Sequence, residues 1–129
     1  GHAKIRSSLT TPIQTGENFY EARKLKRAIE MGALDFVMPD AALIGGVTGW
    51  MQAAAIADTY DIPMSSHLYP EFSRHLLAVT PSAHWLEYVD WAAPILQDPV
   101  RVMDGQVIAP NTQGAGLEWD EGSISRFLA

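Results

Sequence analysis

The sequence predicts an α/β fold built on a parallel sheet, and three observations predict it. Short apolar runs alternate with stretches of helical periodicity, unit after unit, from Pro12 to Glu87. Each run closes on an ionisable residue: Glu17, Asp40, His67 and Glu87 in turn. These four are separated by 23, 27 and 20 positions, and one strand–helix unit of a barrel takes roughly 30 residues, fewer when loops are short. Alternation of this kind joins neighbouring strands by right-handed crossovers and leaves them parallel. The strand ends then share one face, where parallel sheets and barrels place their chemistry.

The first run is Pro12-Ile13-Gln14-Thr15-Gly16-Glu17. From Tyr20 to Met31, Ala22, Leu25, Ala28 and Ile29 fall at helical spacing, and Gly32 supplies a stop. Leu34 to Met38 is the second strand, closed by Pro39-Asp40. The Gly45-Gly46 turn leads into a helix from about Val47 to Tyr60, with Trp50, Met51, Ala54 and Ala57 as its apolar stripe and alanines that favour helix. Ile62 to His67 is the third strand, with Pro63 near its start, where a strand tolerates proline. A helix near Phe72 to Val79 carries Phe72, Leu76 and Val79 on one side; Pro81 follows, and His84-Trp85-Leu86-Glu87 is the fourth strand. Residues 1–92 therefore read as strand–helix units and 93–129 as a different segment. In the latter, Val100 to Ile108 forms a hairpin around Asp104-Gly105, Pro110-Asn111 and Gly114-Ala115-Gly116 mark turns, and Ser123 to Leu128 makes a last helical turn.

Composition narrows the function classes. Of 129 residues 47% are hydrophobic and the formal charge is −6, a globular profile with a real core. The one basic cluster, Arg23-Lys24 and Lys26-Arg27, sits between apolar residues and reads as a solvated helix face, so no nucleic-acid partner is expected. There are no cysteines, which removes disulfides, zinc–thiolate sites and thiol nucleophiles. No apolar stretch is long enough for a membrane, and Gly1-His2-Ala3-Lys4 lacks the parts of a secretory signal. A cytoplasmic location is the expectation. The Gly45-Gly46…Gly49 loop lacks the spacing and lysine of a phosphate loop, which counts against a nucleotide-binding module.

The spacing of the four strand ends suggests a site without naming its reaction, and abstraction of a proton next to a carboxylate is one chemistry these groups could serve. A proton next to a carboxylate is weakly acidic, so its removal needs a base of suitable pKa together with positive charge to stabilise the enediolate. His67 suits the base, since an imidazole ordinarily titrates near neutrality. Asp40 would accept a hydrogen bond from the other ring nitrogen and fix the tautomer. Glu17 offers a hard oxygen ligand for Mg²⁺, and Glu87, kept protonated, would hydrogen-bond a substrate carboxylate. Each has a plainer reading: Asp40 as a helix N-cap or a loop carboxylate, His67 as a hydrogen-bonded packing residue, Glu17 and Glu87 as surface residues. Four such coincidences in consecutive units weigh against the plain readings taken jointly. His75 within a helix, and His84 at a different point of the pleat from Glu87, are read as packing or surface residues; Met31, Met38, Met51 and Met64 are read as core fillers.

At these positions the sequence resembles the enolase superfamily, specifically its mandelate racemase-like group (the mandelate racemase/muconate lactonizing enzymes). The resemblance rests on Pro12-Ile13-Gln14-Thr15-Gly16-Glu17-Asn18, Met38-Pro39-Asp40 with Ile44-Gly45-Gly46-Val47-Thr48-Gly49-Trp50, Pro63-Met64-Ser65-Ser66-His67 and His84-Trp85-Leu86-Glu87, in that order. It implies the C-terminal half of a (β/α)₇β TIM-like barrel, strands five to eight, with a tail that packs on a capping domain. It further implies Glu17 as a metal ligand for Mg²⁺, Asp40 and His67 as a dyad base, and Glu87 as the acid facing a small carboxylate substrate, an acid sugar or a 2-hydroxy acid. The family's capping domain, Lys-x-Lys strand and first two metal ligands have no counterpart here, since Lys24 and Lys26 lie on a solvated helix. Mg²⁺ would need ligands from that N-terminal half. Four strands of eight leave two open edges and an uncovered interior face, so a complementary half or self-association is expected and the isolated chain is expected to be inactive. A non-catalytic half barrel that only oligomerises is the alternative.

Overall fold

The computed structural model describes residues 1–128; Ala129, the last residue of the expected tail, lies outside them. In chain order the elements are helix α1 (His2–Ser7), strand β1 (Gln14–Thr15), α2 (Ala22–Glu30), β2 (Phe36–Val37), α3 (Gly46–Thr59), α4 (Pro70–Ala78), a 3₁₀ turn (Ala93–Ile95) and α5 (Glu121–Ser125). Pairing is parallel throughout the first part. Gln14 and Thr15 face Phe36 and Val37 in register, Val37 and Asp40 bridge to Met64 and His67, and Met64 bridges to Ala83. The expected alternation holds, with four extended segments in sequential order. Regular strand is shorter than the sequence implied: only β1 and β2 form a ladder, and the third and fourth segments join by single bridges. Pro39 and Pro63 lie in the paired stretches and have no N–H to donate.

One side of the sheet is dry. Val37 and Met64 are fully buried beneath Leu25 of α2 and Trp50, Ala53, Ala54 and Ala57 of α3. The Trp50 indole N–H donates to Thr80 Oγ1 at 3.0 Å, and that hydroxyl donates to the Leu76 carbonyl at 2.8 Å, so the largest core side chain leaves no polar group unpartnered. Gly49 is required where α3 begins, because a Cβ there would run into the Ile44 carbonyl.

Four apolar assignments are corrected. Met51 is exposed and Ala53 takes its place, since the i, i+3, i+4, i+7 pattern from Trp50 passes through 53, 54 and 57. Met31 is exposed just beyond α2, and Phe72 and Val79 are exposed while Leu76 alone of the expected α4 stripe is buried. The buried face of α4 is instead Pro70, Glu71, Ser73 and Leu76. Met64 is core as expected, and Met38 is only half-buried, on the sheet's other side.

The later segment follows its turn chemistry. Met103 and Gln106 exchange both backbone hydrogen bonds at 2.9 Å around Asp104 and Gly105, whose φ values are 51° and 74°. Two consecutive left-handed residues make the tight hairpin turn the sequence predicted. Helix α5 starts earlier than expected because Asp120 caps it, accepting from the Ser123 N–H at 2.9 Å. Two side chains tie this segment to the first part: His75 Nε2 meets the Ala115 carbonyl oxygen at 3.1 Å, and the Tyr88 hydroxyl donates to the Val100 carbonyl at 3.1 Å. Among the described residues no helix is long and apolar enough to cross a membrane.

Candidate active site

The backbone brings three of the four strand-end groups into contact. Asp40 and His67 occupy paired positions on adjacent segments, so their side chains leave the sheet side by side. Asp40 Oδ2 lies 2.9 Å from His67 Nδ1. Its other oxygen, Oδ1, accepts the N–H groups of Ala42 and Leu43 at 2.8 and 3.1 Å. Asp40 does not cap α3, whose N-cap is Gly45, but as a loop carboxylate it closes the turn after β2, and that turn fixes the carboxylate that orients the imidazole. With Asp40 3% exposed, little water competes for these bonds.

Glu17 reaches the same histidine from the other side. Gly16 precedes it with φ 147° and is buried, and a Cβ there would meet the Met38 backbone nitrogen at 3.0 Å. Only glycine lets β1 pass that close to β2. Glu17 Oε2 then lies 3.2 Å from His67 Nε2, with the Glu17 side chain 54% exposed, and Asn18 Nδ2 donates to Oε1 at 3.2 Å. Carboxylates thus flank both ring nitrogens of His67. Glu17 is a hard, outward-facing oxygen donor of the kind Mg²⁺ takes, but among the described residues no group of three candidate side chains converges on one point. It would be one ligand of a set.

Glu87 stands beside this trio, linked through the backbone after His67. Its Oε2 accepts the Leu68 N–H at 2.8 Å, and its own N–H donates to the Ser66 hydroxyl at 3.1 Å. Ser65 and Ser66 carry no role that the sequence alone assigns. Two hydroxyls inside an otherwise apolar run were the available signal, because a buried hydroxyl needs a partner. His84 lies apart from the four, on the sheet face turned away from the helices, stacked on Phe36 at 4.8 Å between ring centres.

Comparison with known proteins bears on this arrangement. The sequence model of the family described as "Enolase C-terminal domain-like" matches residues 1–123. L-talarate/galactarate dehydratase of Salmonella typhimurium is 31% identical over 121 residues, covering 94% of this chain and 30% of that protein. A magnesium-bound enolase structure from the alphaproteobacterium bal199 superposes with a TM-score of 0.93 at 50% identity, over 97% of this chain and 34% of that one. An enolase from Bradyrhizobium, complexed with magnesium and mandelic acid, gives a TM-score of 0.92 at 49% identity over 97% and 34%. The chain thus spans about a third of the length of these relatives.

Proposed function

This chain belongs to the enolase C-terminal domain-like family, and from that premise we propose that it carries the base and the acid of an enzyme that removes the proton α to a carboxylate. The observation that carries the reading is the Asp40–His67 pair at 2.9 Å, with Glu17 and Glu87 at the same mouth. Asp40 holds Nδ1–H, which leaves Nε2 as the atom that takes the α-proton. A base must present a lone pair there, so the Glu17 oxygen now facing Nε2 has to engage elsewhere when the site is loaded. Glu17 is the residue of this chain that would hold Mg²⁺, and the cation when bound supplies positive charge against the developing enediolate. Glu87, carrying a proton, donates a hydrogen bond to the substrate carboxylate as negative charge grows on it. The remaining ligands and the residues that choose the substrate come from the polypeptide that completes the barrel, so the 129-residue chain alone turns nothing over.

Acid-sugar dehydration is the favoured outcome, given the talarate/galactarate dehydratase relative. The enediolate then expels its β-hydroxyl as water, with a proton supplied at that oxygen, and the resulting enol tautomerises to a 2-keto-3-deoxy acid. Racemisation of a 2-hydroxy acid is the second reading, favoured by the mandelic acid in the Bradyrhizobium relative. Mandelate has no β-hydroxyl and cannot be dehydrated. The test is α-proton exchange in D₂O with Mg²⁺, on the assembly of this chain and its completing half, with galactarate and mandelate as substrates. His67→Asn should lower exchange and turnover by about 10²–10⁴-fold, and an unchanged rate would refute His67 as the base. Dehydration of galactarate or inversion of mandelate separates the two outcomes. A stable self-assembly of this chain with no exchange under any pairing would favour the scaffold alternative.

A further inference from the structure

We propose that Ser66 is a positioning residue for Glu87: its hydroxyl holds the Glu87 backbone N–H while the Leu68 amide holds the carboxyl by Oε2, so that Oε1 alone faces the substrate. The inference rests on the reading of Glu87 given above.

The argument starts in the ladder between the third and fourth segments. Met64 N–H donates to the Ser82 carbonyl at 2.8 Å, and the Met64 carbonyl accepts His84 N–H at 2.9 Å. A regular parallel ladder would next join Ser66 N–H to the His84 carbonyl. It joins instead to the Trp85 carbonyl at 2.9 Å, so the fourth segment carries one extra residue, as in a bulge. The N–H groups beyond the slip turn to side chains. Trp85 N–H reaches Ser65 Oγ at 3.3 Å, and Glu87 N–H reaches Ser66 Oγ at 3.1 Å. Ser66 is 0% exposed, so no solvent stands ready to take over as acceptor.

The far end of Glu87 is fixed with equal care. Leu68 has φ +53° and Tyr69 φ +46°, conformations that residues with a side chain seldom adopt and that surrounding contacts must enforce. Here the contacts are visible. Leu68 N–H gives its hydrogen bond to Glu87 Oε2, and the Leu68 carbonyl accepts from the Ser73 hydroxyl at 2.9 Å, with Ser73 fully buried on α4. The left-handed turn after His67 therefore aims an amide at one oxygen of Glu87. Oε2 spends a lone pair on that amide, and no described residue donates to Oε1. When Glu87 carries a proton, Oε1 is the oxygen free to hold it and present it to a bound carboxylate.

The test uses the active assembly. Ser66→Ala should lower kcat by about 10–100-fold, the range a small misplacement of a reacting group can cost, while KM stays within about two-fold. Ser66→Thr, which keeps the hydroxyl, should recover most of the loss. A merely structural role would move the melting temperature of Ser66→Ala and leave kcat intact, and that result overturns the proposal. Full activity in Ser66→Ala alongside an inactive His67→Asn would sink this inference but spare the reading of the site. Unchanged exchange in His67→Asn would sink that reading itself. Should Ser66→Ala not fold, an experimental structure of the unsubstituted assembly decides. Glu87 N–H on Ser66 Oγ, with one carboxyl oxygen on the Leu68 amide and the other toward the metal site, supports the proposal, and a Glu87 N–H off Ser66 or a carboxyl not held by the Leu68 amide overturns it.

Discussion

The two faces of this sheet are built on opposite principles. Toward the helices, Val37 and Met64 are sealed under Leu25, Trp50 and three alanines, and the single polar atom of Trp50 is satisfied inside the core. On the other face, Gln14, Phe36, Met38, Ser65 and His84 stand in a mixed row. Ser65 Oγ donates to Gln14 Oε1 at 2.9 Å and lies 3.5 Å from His84 Nδ1, while Phe36 stacks on the His84 ring. Gln14 and His84 are exposed and Phe36 half-exposed. Among the described residues the helix face is sealed, whereas the other face leaves Gln14 and His84 exposed, with β1 at the edge of the sheet. The difference separates a face whose side chains are satisfied by packing against the helices from one whose side chains remain open to water.

Matched truncations put that contrast to the hardest test. Trp50→Ala, on the sealed face, should cost about 3–5 kcal/mol by lost transfer energy and the cavity left behind. Phe36→Ala, an aromatic truncation on the open face, should cost roughly 1 kcal/mol in the chain alone, because water already covers much of the ring. In the completed barrel the Phe36 figure should rise toward the Trp50 figure, since the same ring would then be enclosed. Urea titrations of both variants, alone and assembled, check this. Equal costs in the isolated chain would mean that the open face is already covered, by a second copy for example. Thr80→Val is the next step down. It keeps the volume but removes the acceptor for the Trp50 indole N–H, leaving a buried donor unpaired at about 1–3 kcal/mol. A cost near zero would show that Trp50 finds water there and that the helix face is less dry than the packing implies.

The same contrast explains how much could be read from the sequence. Alternation and turn chemistry are local signals, and they carried the four parallel segments, the Asp104-Gly105 hairpin and the meeting of Asp40 with His67. Met51, Phe72 and Val79 were misplaced because apolar type was allowed to outweigh phase: each sits next to a buried position, not on it. The open-face row was illegible for a different reason. Gln14, Ser65 and His84 are far apart in sequence and polar, so nothing local marks them as neighbours. Leu68 is harder still. A left-handed leucine has no sequence signature, since its conformation is imposed by Glu87 and Ser73 from other segments. The site was therefore visible as four residues and invisible as the hydrogen bonds that aim them.

The smallest expected effect concerns the end of the sheet remote from the mouth, where α1 is tied down independently of either face. Arg6 Nε donates to Asp35 Oδ1 at 2.7 Å, and Ile13 N–H donates to Asp35 Oδ2 at 2.8 Å. The Arg6 hydrogen bond first, and the Ile13 N–H second, hold the Asp35 carboxyl below its ordinary range. A carboxyl depressed on folding contributes stability that is present above its unfolded pKa and lost as pH falls through the folded value. Both side chains are partly open to water, so salt screens the pair and the contribution is modest. Arg6→Met should raise the Asp35 titration toward the ordinary carboxylate value without restoring it fully, since the Ile13 N–H remains. It should also remove one component of the acid-side loss of stability. Carboxylate chemical shifts followed through a pH titration check the first point, and melting temperature against pH checks the second. An Asp35 titration unmoved in Arg6→Met would assign the depression to the Ile13 N–H instead, and α1 would then rest on the sheet without an ionic tie.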